Sequence, residues 1–171
     1  EIGGQIIFRL IREISNQTEI NTQTENLSSN YAATRNRLIS TDNFQTDFTY
    51  RPIRNLEAGL KIRVARSTDK FPEIPTLIDI NSENLRFVYS FSGAGRLRVE
   101  FERTELISAQ TGNYLPFELT GGNSLGKNYY FRLNFDYRIA ANLQTTAYYE
   151  GRSLGGGKVI SLAKSEIRAF F

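Results

Sequence analysis

The chain has 171 residues, of which 40% are hydrophobic and 23% charged; this is enough for one ordinary domain and excludes wholesale disorder. It contains no Cys, Met, Trp or His, which excludes disulfides, thiolate metal sites and any catalysis that needs a His. The net charge is +3, but Lys and Arg are interleaved with Asp and Glu, and no run resembles a nucleic-acid-binding arm.

The dominant signal along the chain is the alternation of apolar and polar residues with period two, which is typical of β-strands. No stretch approaches the ~18–20 apolar residues of a transmembrane helix. In chain order, the pattern predicts eight strands, at residues 4–24, 37–51, 55–68, 84–92, 95–107, 127–138, 142–152 and 158–171. Several reach about eleven residues, which at ~3.3 Å each and a tilt of ~40° rise roughly 28 Å, the height of the apolar band of an outer membrane.

The first predicted strand is the least regular of the eight. One of its faces is mixed, because charged Arg9 and Glu13 alternate there with apolar Ile7 and Ile11. This irregularity leaves two alternatives open. The eight strands close a barrel by themselves, or they belong to a wider barrel that continues upstream.

The later strands separate two faces cleanly. One face is apolar, and we predict that it meets lipid through Tyr129, Phe131, Leu133, Phe135, Tyr137, Ile167 and Ala169. The other face is charged, and we predict that it lines the lumen through Arg96, Arg98, Glu100, Glu102, Arg132, Asp136, Arg138, Glu150, Arg152, Lys164, Glu166 and Arg168. A lumen with both signs of charge allows these groups to pair or to stay hydrated, whereas burying them unpaired is costly.

Connections between the predicted strands alternate in length. Those near 52–54, 93–94 and 139–141 are short, those near 25–36, 69–83 and 108–126 are long, and 153–157 is short but rich in Gly. Bacterial barrels have short periplasmic turns and longer extracellular loops, so we expect both termini in the periplasm.

Charged and aromatic residues on the apolar face fall where a membrane boundary is expected. Arg66, Arg103 and Glu105 lie near the predicted outer ends, where a charge costs only about 0–1 kcal/mol. An aromatic girdle is predicted near the inner ends, formed by Tyr50, Tyr89, Phe91, Tyr137 and Phe171.

Two short segments resemble ligand sites only weakly. Gly151–Lys158 has the Gly content of a phosphate loop, but the spacing is wrong by one residue and Val159 replaces the required Ser or Thr, which favours a flexible hairpin loop. Asp79–Glu83 offers oxygen ligands suited to Ca²⁺, although a solvated loop is the simpler interpretation. We therefore expect no metal and no cofactor.

A pair of carboxylates also invites a catalytic interpretation. Glu100 and Glu102 share a strand face, as catalytic carboxylates do. Arg96 and Arg98 share that face as well, so an internal ion-pair ladder is the more economical interpretation. We expect no catalytic residue and no enzyme activity.

The end of the chain, Ile167-Arg168-Ala169-Phe170-Phe171, resembles the C-terminal β-signal of outer-membrane proteins. The resemblance implies that Ile167, Ala169 and Phe171 form an assembly signal that the barrel-assembly machinery reads. A broader resemblance covers about residues 52–171 and rests on Tyr50–Glu57, Leu115–Thr120 and Asp136–Arg138. These segments are similar to the C-terminal barrel regions of large uncharacterised Bacteroidota-type outer-membrane proteins, which offer no catalytic residues to carry over.

Together these observations predict an all-β, antiparallel up-and-down transmembrane β-barrel of about eight strands over residues 1–171, located in the bacterial outer membrane. Its expected role is structural, anchoring or related to transport or secretion. Expected partners are outer-membrane lipid, the assembly machinery and further envelope subunits, and not nucleic acid.

Two alternatives remain open at this point. Period-two alternation does not say which face points outward, so a soluble eight-stranded barrel is possible whose aromatic face encloses a small apolar ligand. An extracellular β-rich assembly subunit is the second alternative, which would suit the long strands and Asn- and Thr-rich patches such as Asn16–Asn30.

Overall fold

The computed structural model describes residues 2–10, 14–27, 37–70, 75–91, 93–108 and 117–170. The elements in chain order are β1 (Ile2–Leu10), β2 (Ile14–Leu27), β3 (Arg37–Ile53), β4 (Leu56–Asp69), β5 (Thr76–Phe91), β6 (Gly95–Ser108), α1 (Phe117–Thr120), β7 (Gly126–Ala140), β8 (Leu143–Ser153) and β9 (Ile160–Ala169). The strands form one sheet in which each is paired antiparallel with the next along the chain. The predicted all-β, up-and-down antiparallel fold is confirmed. Within the described ranges, no helix has the length and apolar character needed to cross a membrane.

The predicted strand at residues 4–24 is wrong, because this segment folds into a hairpin and the sheet therefore has nine strands. β1 pairs with β2 so that Gln5 lies opposite Glu19 and Leu10 opposite Ile14. The intervening residues 11–13 lie outside the described residues. They read Ile-Arg-Glu and contain none of the usual turn residues, and three residues leave the phase of the alternation unchanged. The alternation therefore does not indicate that β1 ends and β2 begins within this segment.

β5 begins at Thr76, eight residues earlier than the pattern predicts, so most of the predicted long loop at 69–83 is strand. The apolar alternation is lost there because the residues on one face are polar. Two of these polar residues form ion pairs with the neighbouring strands, Asp79 with Arg66 at 2.7 Å and Glu83 with Arg103 at 3.3 Å. Because side chains alternate along a strand, Ser82 lies on the opposite face from Asp79 and Glu83. The side-chain oxygens of this segment therefore do not converge on one point as those of a Ca²⁺ loop do.

The short connections lie at one end of the sheet and the longer connections at the other. Residues 54–55, 92–94 and 141–142 connect strands at one end, the short-turn end, together with 11–13. Residues 28–36, 70–75, 109–125 and 154–159 connect strands at the opposite end, the long-loop end. Because nine is an odd number, β1 begins at the long-loop end whereas β9 finishes at the short-turn end. The expectation that both ends of the sheet segment lie on the periplasmic side is therefore wrong.

The sheet is open, with β1 and β9 as its two edges. Both edge strands run from the long-loop end to the short-turn end, so they are parallel to each other. Closing the sheet on itself would require a parallel pair, whereas up-and-down barrels pair their strands antiparallel throughout.

The two faces of the sheet differ in burial. All buried side chains on the described strands lie on one face, namely Ile39, Ala65, Ser67, Asp69, Ile78, Val88, Thr104, Leu106 and Asn128. The other face exposes large hydrophobic side chains, such as Phe44 at 42%, Phe87 at 49% and Ile167 at 69%. One cavity touches Gln23 of β2 and Asn123 beyond α1, so the sheet curves around the buried face. We call this face the inner face and the opposite one the outer face.

Aromatic rings cluster on the outer face at the short-turn end. Phe91 meets Tyr89, Phe135 and Tyr137 edge-on, with ring centroids 5.0, 6.0 and 5.8 Å apart. Such edge-to-face pairs contribute about 0.5–1.5 kcal/mol each beyond the area they bury. Three residues of the predicted girdle thus come together with Phe135, while Phe171 lies outside the described residues.

The hairpin of β1 and β2 predicts a cross-link that a single strand would not allow. Because the chain has no native Cys, the double variant Gln5→Cys with Glu19→Cys should form an intramolecular disulfide in high yield on oxidation, measured by mass spectrometry after proteolysis. The control pair, Gln5→Cys with Gln23→Cys, is displaced along β2 and should not cross-link. A single extended strand would keep Gln5 and Glu19 roughly 46 Å apart, and neither pair would then form a disulfide.

Candidate functional site: the inner face of the sheet

The register collects the predicted charged residues on the inner face. Arg96 lies opposite Asp136, and Glu100 opposite Arg132. Arg132 in turn lies opposite Glu150. The same register places the remaining predicted residues on this face, namely Arg98, Glu102, Arg138, Arg152, Lys164, Glu166 and Arg168. That this face lines an aqueous lumen stays a prediction.

The predicted apolar residues share the outer face. Phe131 lies opposite Phe101, and Phe135 opposite Leu97. Tyr129, Leu133, Tyr137, Ile167 and Ala169 fall on the same side of the sheet. The soluble alternative needs these rings inside, where they would enclose an apolar ligand. Because the sheet curves around the inner face, these rings lie on its convex side.

Glu57, on the inner face of β4, is held by close ion pairs. Glu57 forms ion pairs with Arg51 at 2.7 Å and with Arg86 at 3.0 Å. Arg86 lies flat across the backbone of β4 at Gly59, where an added Cβ would stand 3.3 Å from the guanidinium. Glycine at this position therefore gives the arginine room to reach Glu57.

On β6 to β8 the ion pairs are looser. Glu100 lies between Arg98 at 3.9 Å and Arg132 at 3.7 Å, both longer than a charge-assisted hydrogen bond. Arg132 also donates a hydrogen bond to the Tyr130 hydroxyl, with its guanidinium carbon 5.0 Å from the centre of that ring. These contacts hold the Arg132 side chain against the inner face of the sheet.

Glu102 departs from the predicted ion-pair ladder. Its carboxylate accepts hydrogen bonds from the hydroxyls of Thr104 and Ser82, at 3.1 and 3.5 Å, and from the Asn84 amide at 3.4 Å. Neutral donors thus hold this carboxylate where the pattern predicts a guanidinium. Further along the sheet, Glu166 pairs with Arg168 at 2.7 Å, within β9.

The helix α1 is a part of the site that the sequence pattern missed. Its Leu119 is buried, with 2% of the side chain exposed, in a cluster with Ile39, Ile78 and Leu106 of the inner face. The part of the β6–β7 connection that contains α1 therefore packs on the inner face of the sheet at the long-loop end. A signal was present in the sequence, because Pro116 precedes the helix and Gly121, with φ of +59°, follows it in the left-handed conformation of a helix C-cap.

A polar cavity of about 300 Å³ lies between α1 and the wall. Arg63 of β4, Glu102 of β6 and Asn123 are among the residues that line it. The inward segment thus leaves a polar space beside it instead of sealing the inner face with apolar contacts.

Asn128 links the connection that precedes β7 to the connection between β8 and β9. Its amide nitrogen donates to the carbonyls of Thr104 at 3.2 Å and Ser124 at 2.7 Å. Its amide oxygen accepts from the backbone N–H groups of Ser124 and Gly155, both at 3.1 Å. With 3% of its surface exposed, this side chain fixes the backbone after α1 to the loop between β8 and β9.

Comparison with known proteins gives a likeness of fold. No family model and no curated protein matches the chain. A loop L8 deletion mutant of OmpT, an outer membrane protein of Vibrio cholerae, matches 97% of this chain with a TM-score of 0.66 and 11% identity. In-vitro folded OmpT of the same organism matches 95% with a TM-score of 0.61 and 13% identity, and its trimer form matches with a TM-score of 0.60 and 12% identity.

The matched part is about half of each of these proteins, since this chain covers 52% of the deletion mutant and 51% of in-vitro folded OmpT. At this level of identity the likeness concerns the fold alone. The chain therefore has the sheet architecture of an outer-membrane β-barrel, and its nine strands correspond to about half of the barrel chains that it resembles.

The variant Leu119→Ala should release α1 from the wall. Truncating a buried leucine costs about 2–5 kcal/mol, and each ~1.4 kcal/mol raises the locally open population tenfold. A glutamate-specific protease should therefore cleave after Glu118 at least about tenfold faster than in the wild type. Leu125→Ala is the matched control, because this side chain is 42% exposed and outside the cluster. Equal cleavage rates in the wild type and Leu119→Ala would contradict the docking of α1.

The variant Asn128→Ala should loosen both long connections at once. It removes the acceptor of the Ser124 and Gly155 amides, and we expect their hydrogen exchange to accelerate roughly fivefold to tenfold, as the loss of about 1 kcal/mol per hydrogen bond predicts. Asn134→Ala makes the same change further along β7 and serves as the control. Unchanged exchange of both amides in Asn128→Ala would contradict the proposed link.

Proposed function

We propose that this chain forms about half of the wall of a wide integral β-barrel in the bacterial outer membrane, and that its inner face lines a water-filled passage for polar solutes. The observation that carries this proposal is the segregation of the two faces. Aromatic and aliphatic side chains are exposed on the outer face, whereas twelve of the fifteen charged side chains of β6 to β9 lie on the inner face. Hydrocarbon favours the first surface and water the second.

The open edges support a barrel with further strands. In hydrocarbon, an unpaired strand edge leaves backbone groups unsatisfied at several kcal/mol each, so spanning sheets are closed. Because β1 and β9 are parallel, antiparallel closure needs an odd number of additional strands between them. This adds up to an even total, as in bacterial single-chain barrels.

The coverage of the similar structures suggests how wide the barrel is. If these nine strands are about half of the wall, the whole barrel has roughly twice as many. Barrels of about 16–18 strands leave an aqueous channel, whereas one of about eight is filled by side chains. The segment around α1, docked on the inner face at the long-loop end, would then narrow that channel.

A non-catalytic role accompanies this proposal. It is supported by the ion pairs and hydrogen bonds that engage Glu100 and Glu102, the carboxylates most suited to catalysis. We also propose that the barrel-assembly machinery reads β9, since Ile167 and Ala169 are exposed on the outer face of the edge strand, and that outer-membrane lipid and further envelope subunits are its other partners.

Extraction and conductance test the proposed function. The protein should leave the outer membrane only in detergent, and its migration on a gel should be heat-modifiable. Its denatured mass should be well above 19.5 kDa if one polypeptide supplies the remaining strands. Reconstituted into planar bilayers, it should give stepwise ion conductance. A higher conductance after Leu119→Ala would support the narrowing by α1, whereas an unchanged conductance would contradict it.

Other outcomes would favour the other candidates. A monodisperse protein that needs no detergent would contradict the membrane barrel and favour an extracellular assembly subunit. A heat-modifiable barrel without conductance would contradict the passage and leave an anchoring role.

A further inference from the structure

The inner face carries an arginine-rich hollow between β6 and β8. A cavity of about 420 Å³ is lined there by Arg96, Arg98, Arg132, Asn134, Asp136 and Tyr148. Three guanidinium groups thus border the same space, whereas Asp136 supplies the one carboxylate among these lining residues. In this the hollow differs from the cavity beside α1, whose lining includes one arginine and one glutamate.

The ion pairs that the arginines of this hollow make with described residues are loose, none shorter than 3.7 Å. Glu100 is shared between Arg98 and Arg132 at 3.9 and 3.7 Å, so one carboxylate serves two guanidiniums. The side chain of Arg96 makes no hydrogen bond or ion pair with any residue in the described ranges, although Asp136 lies opposite it in the register. By contrast, Glu57 and Glu166 each have an arginine at 2.7 Å.

The geometry of the hollow suits an anion with several oxygens. Guanidinium groups bind carboxylate and phosphate oxygens in a bidentate manner, and three of them around one cavity can engage one small ligand together. Arg132 is positioned by Tyr130 and Glu100, and the Tyr148 hydroxyl is hydrogen-bonded to Glu150, so these two lining side chains are already oriented.

We propose that Arg96, Arg98 and Arg132 form a binding site for small solutes that carry carboxylate or phosphate groups, and that this site makes the passage prefer anions. The inference rests on the proposed water-filled passage. It adds the chemical class of the solute and the place on the wall where that solute binds.

Reversal potentials in planar bilayers test this site, using the full protein extracted from outer membranes. Under a gradient of KCl, the wild type should prefer chloride, and inorganic pyrophosphate should block the current at low concentration. The double variant Arg96→Gln with Arg98→Gln should lower the chloride-to-potassium permeability ratio about fourfold, which is roughly twofold for each charge that lies about 10 Å from the permeating ion in water. It should also abolish the block by pyrophosphate. Arg132 is left intact because it packs against the wall.

Two further variants separate the site from general charge effects. Arg96→Lys with Arg98→Lys keeps the charge and should retain the chloride preference, but it should weaken the block by pyrophosphate because lysine lacks the planar fork. Arg66→Gln with Arg103→Gln makes the same charge change on the outer face and should alter neither property. All variants should remain heat-modifiable, as correctly folded barrels are.

The possible results are distinguishable. If the double glutamine variant conducts with unchanged selectivity and unchanged block, the anion site is overturned while the passage stands; acidic residues on the remaining wall would then balance these arginines. If the wild type does not conduct at all, the proposed function fails, and the anion site fails with it.

Discussion

The hydrogen-bonded register between neighbouring strands is the constraint on which the rest of this structure depends. Side chains alternate with a period of two, so a slip of one residue in any strand would move its charged side chains to the outer face. From β2 to β9 the pairing is continuous, and its only shifts among the described pairs, between Tyr50 and Ile53 and between Arg138 and Ala140, lie at short turns. The face that carries Lys61 on β4 is therefore the face that carries Arg168 on β9.

At the long-loop end, the same register also brings oppositely charged side chains on the outer face next to each other. There the exposed apolar side chains give way to ion pairs between neighbouring strands, Arg66 with Asp79 and Arg103 with Glu83 and Glu105. Strands as long as β3, with 17 residues, and β5, with 16, exceed the ~9–11 residues that cross a membrane. The charged ends thus belong to the part of each strand that would project beyond the apolar band.

The inner face divides into regions of different chemistry. On β3 to β5, Glu57 forms short ion pairs with Arg51 and Arg86. At the long-loop end a few apolar side chains, with Leu119 at their centre, hold α1 to an otherwise polar wall. On β6 to β8, the guanidinium groups of Arg96, Arg98 and Arg132 face one cavity. If this face lines a passage as proposed, it presents these distinct surfaces to the solutes, whereas a face of uniform polarity would be expected to pass them without preference.

Local alternation in the sequence determined most of the strands and the composition of their faces. The pattern over residues 127–138, for example, predicts β7 and its two faces because the period-two arrangement is a property of each strand alone. It failed between β1 and β2, because the three residues that separate these strands in the sequence leave the phase unchanged, and at Asp79–Glu83, because polar residues on the outer face interrupt the apolar alternation at the start of β5. Both errors arise because neighbouring strands supply the pairing partners that make these segments strands.

The tertiary structure alone decided which face is inner, because alternation is symmetric between the two sides of a strand and only the curvature of the sheet distinguishes them. It also decided that α1 docks on the wall and that Arg96, Arg98 and Arg132 border one cavity. These features join residues far apart in the chain, on strands that meet only through the register of the whole sheet. No local pattern in the sequence carries that information.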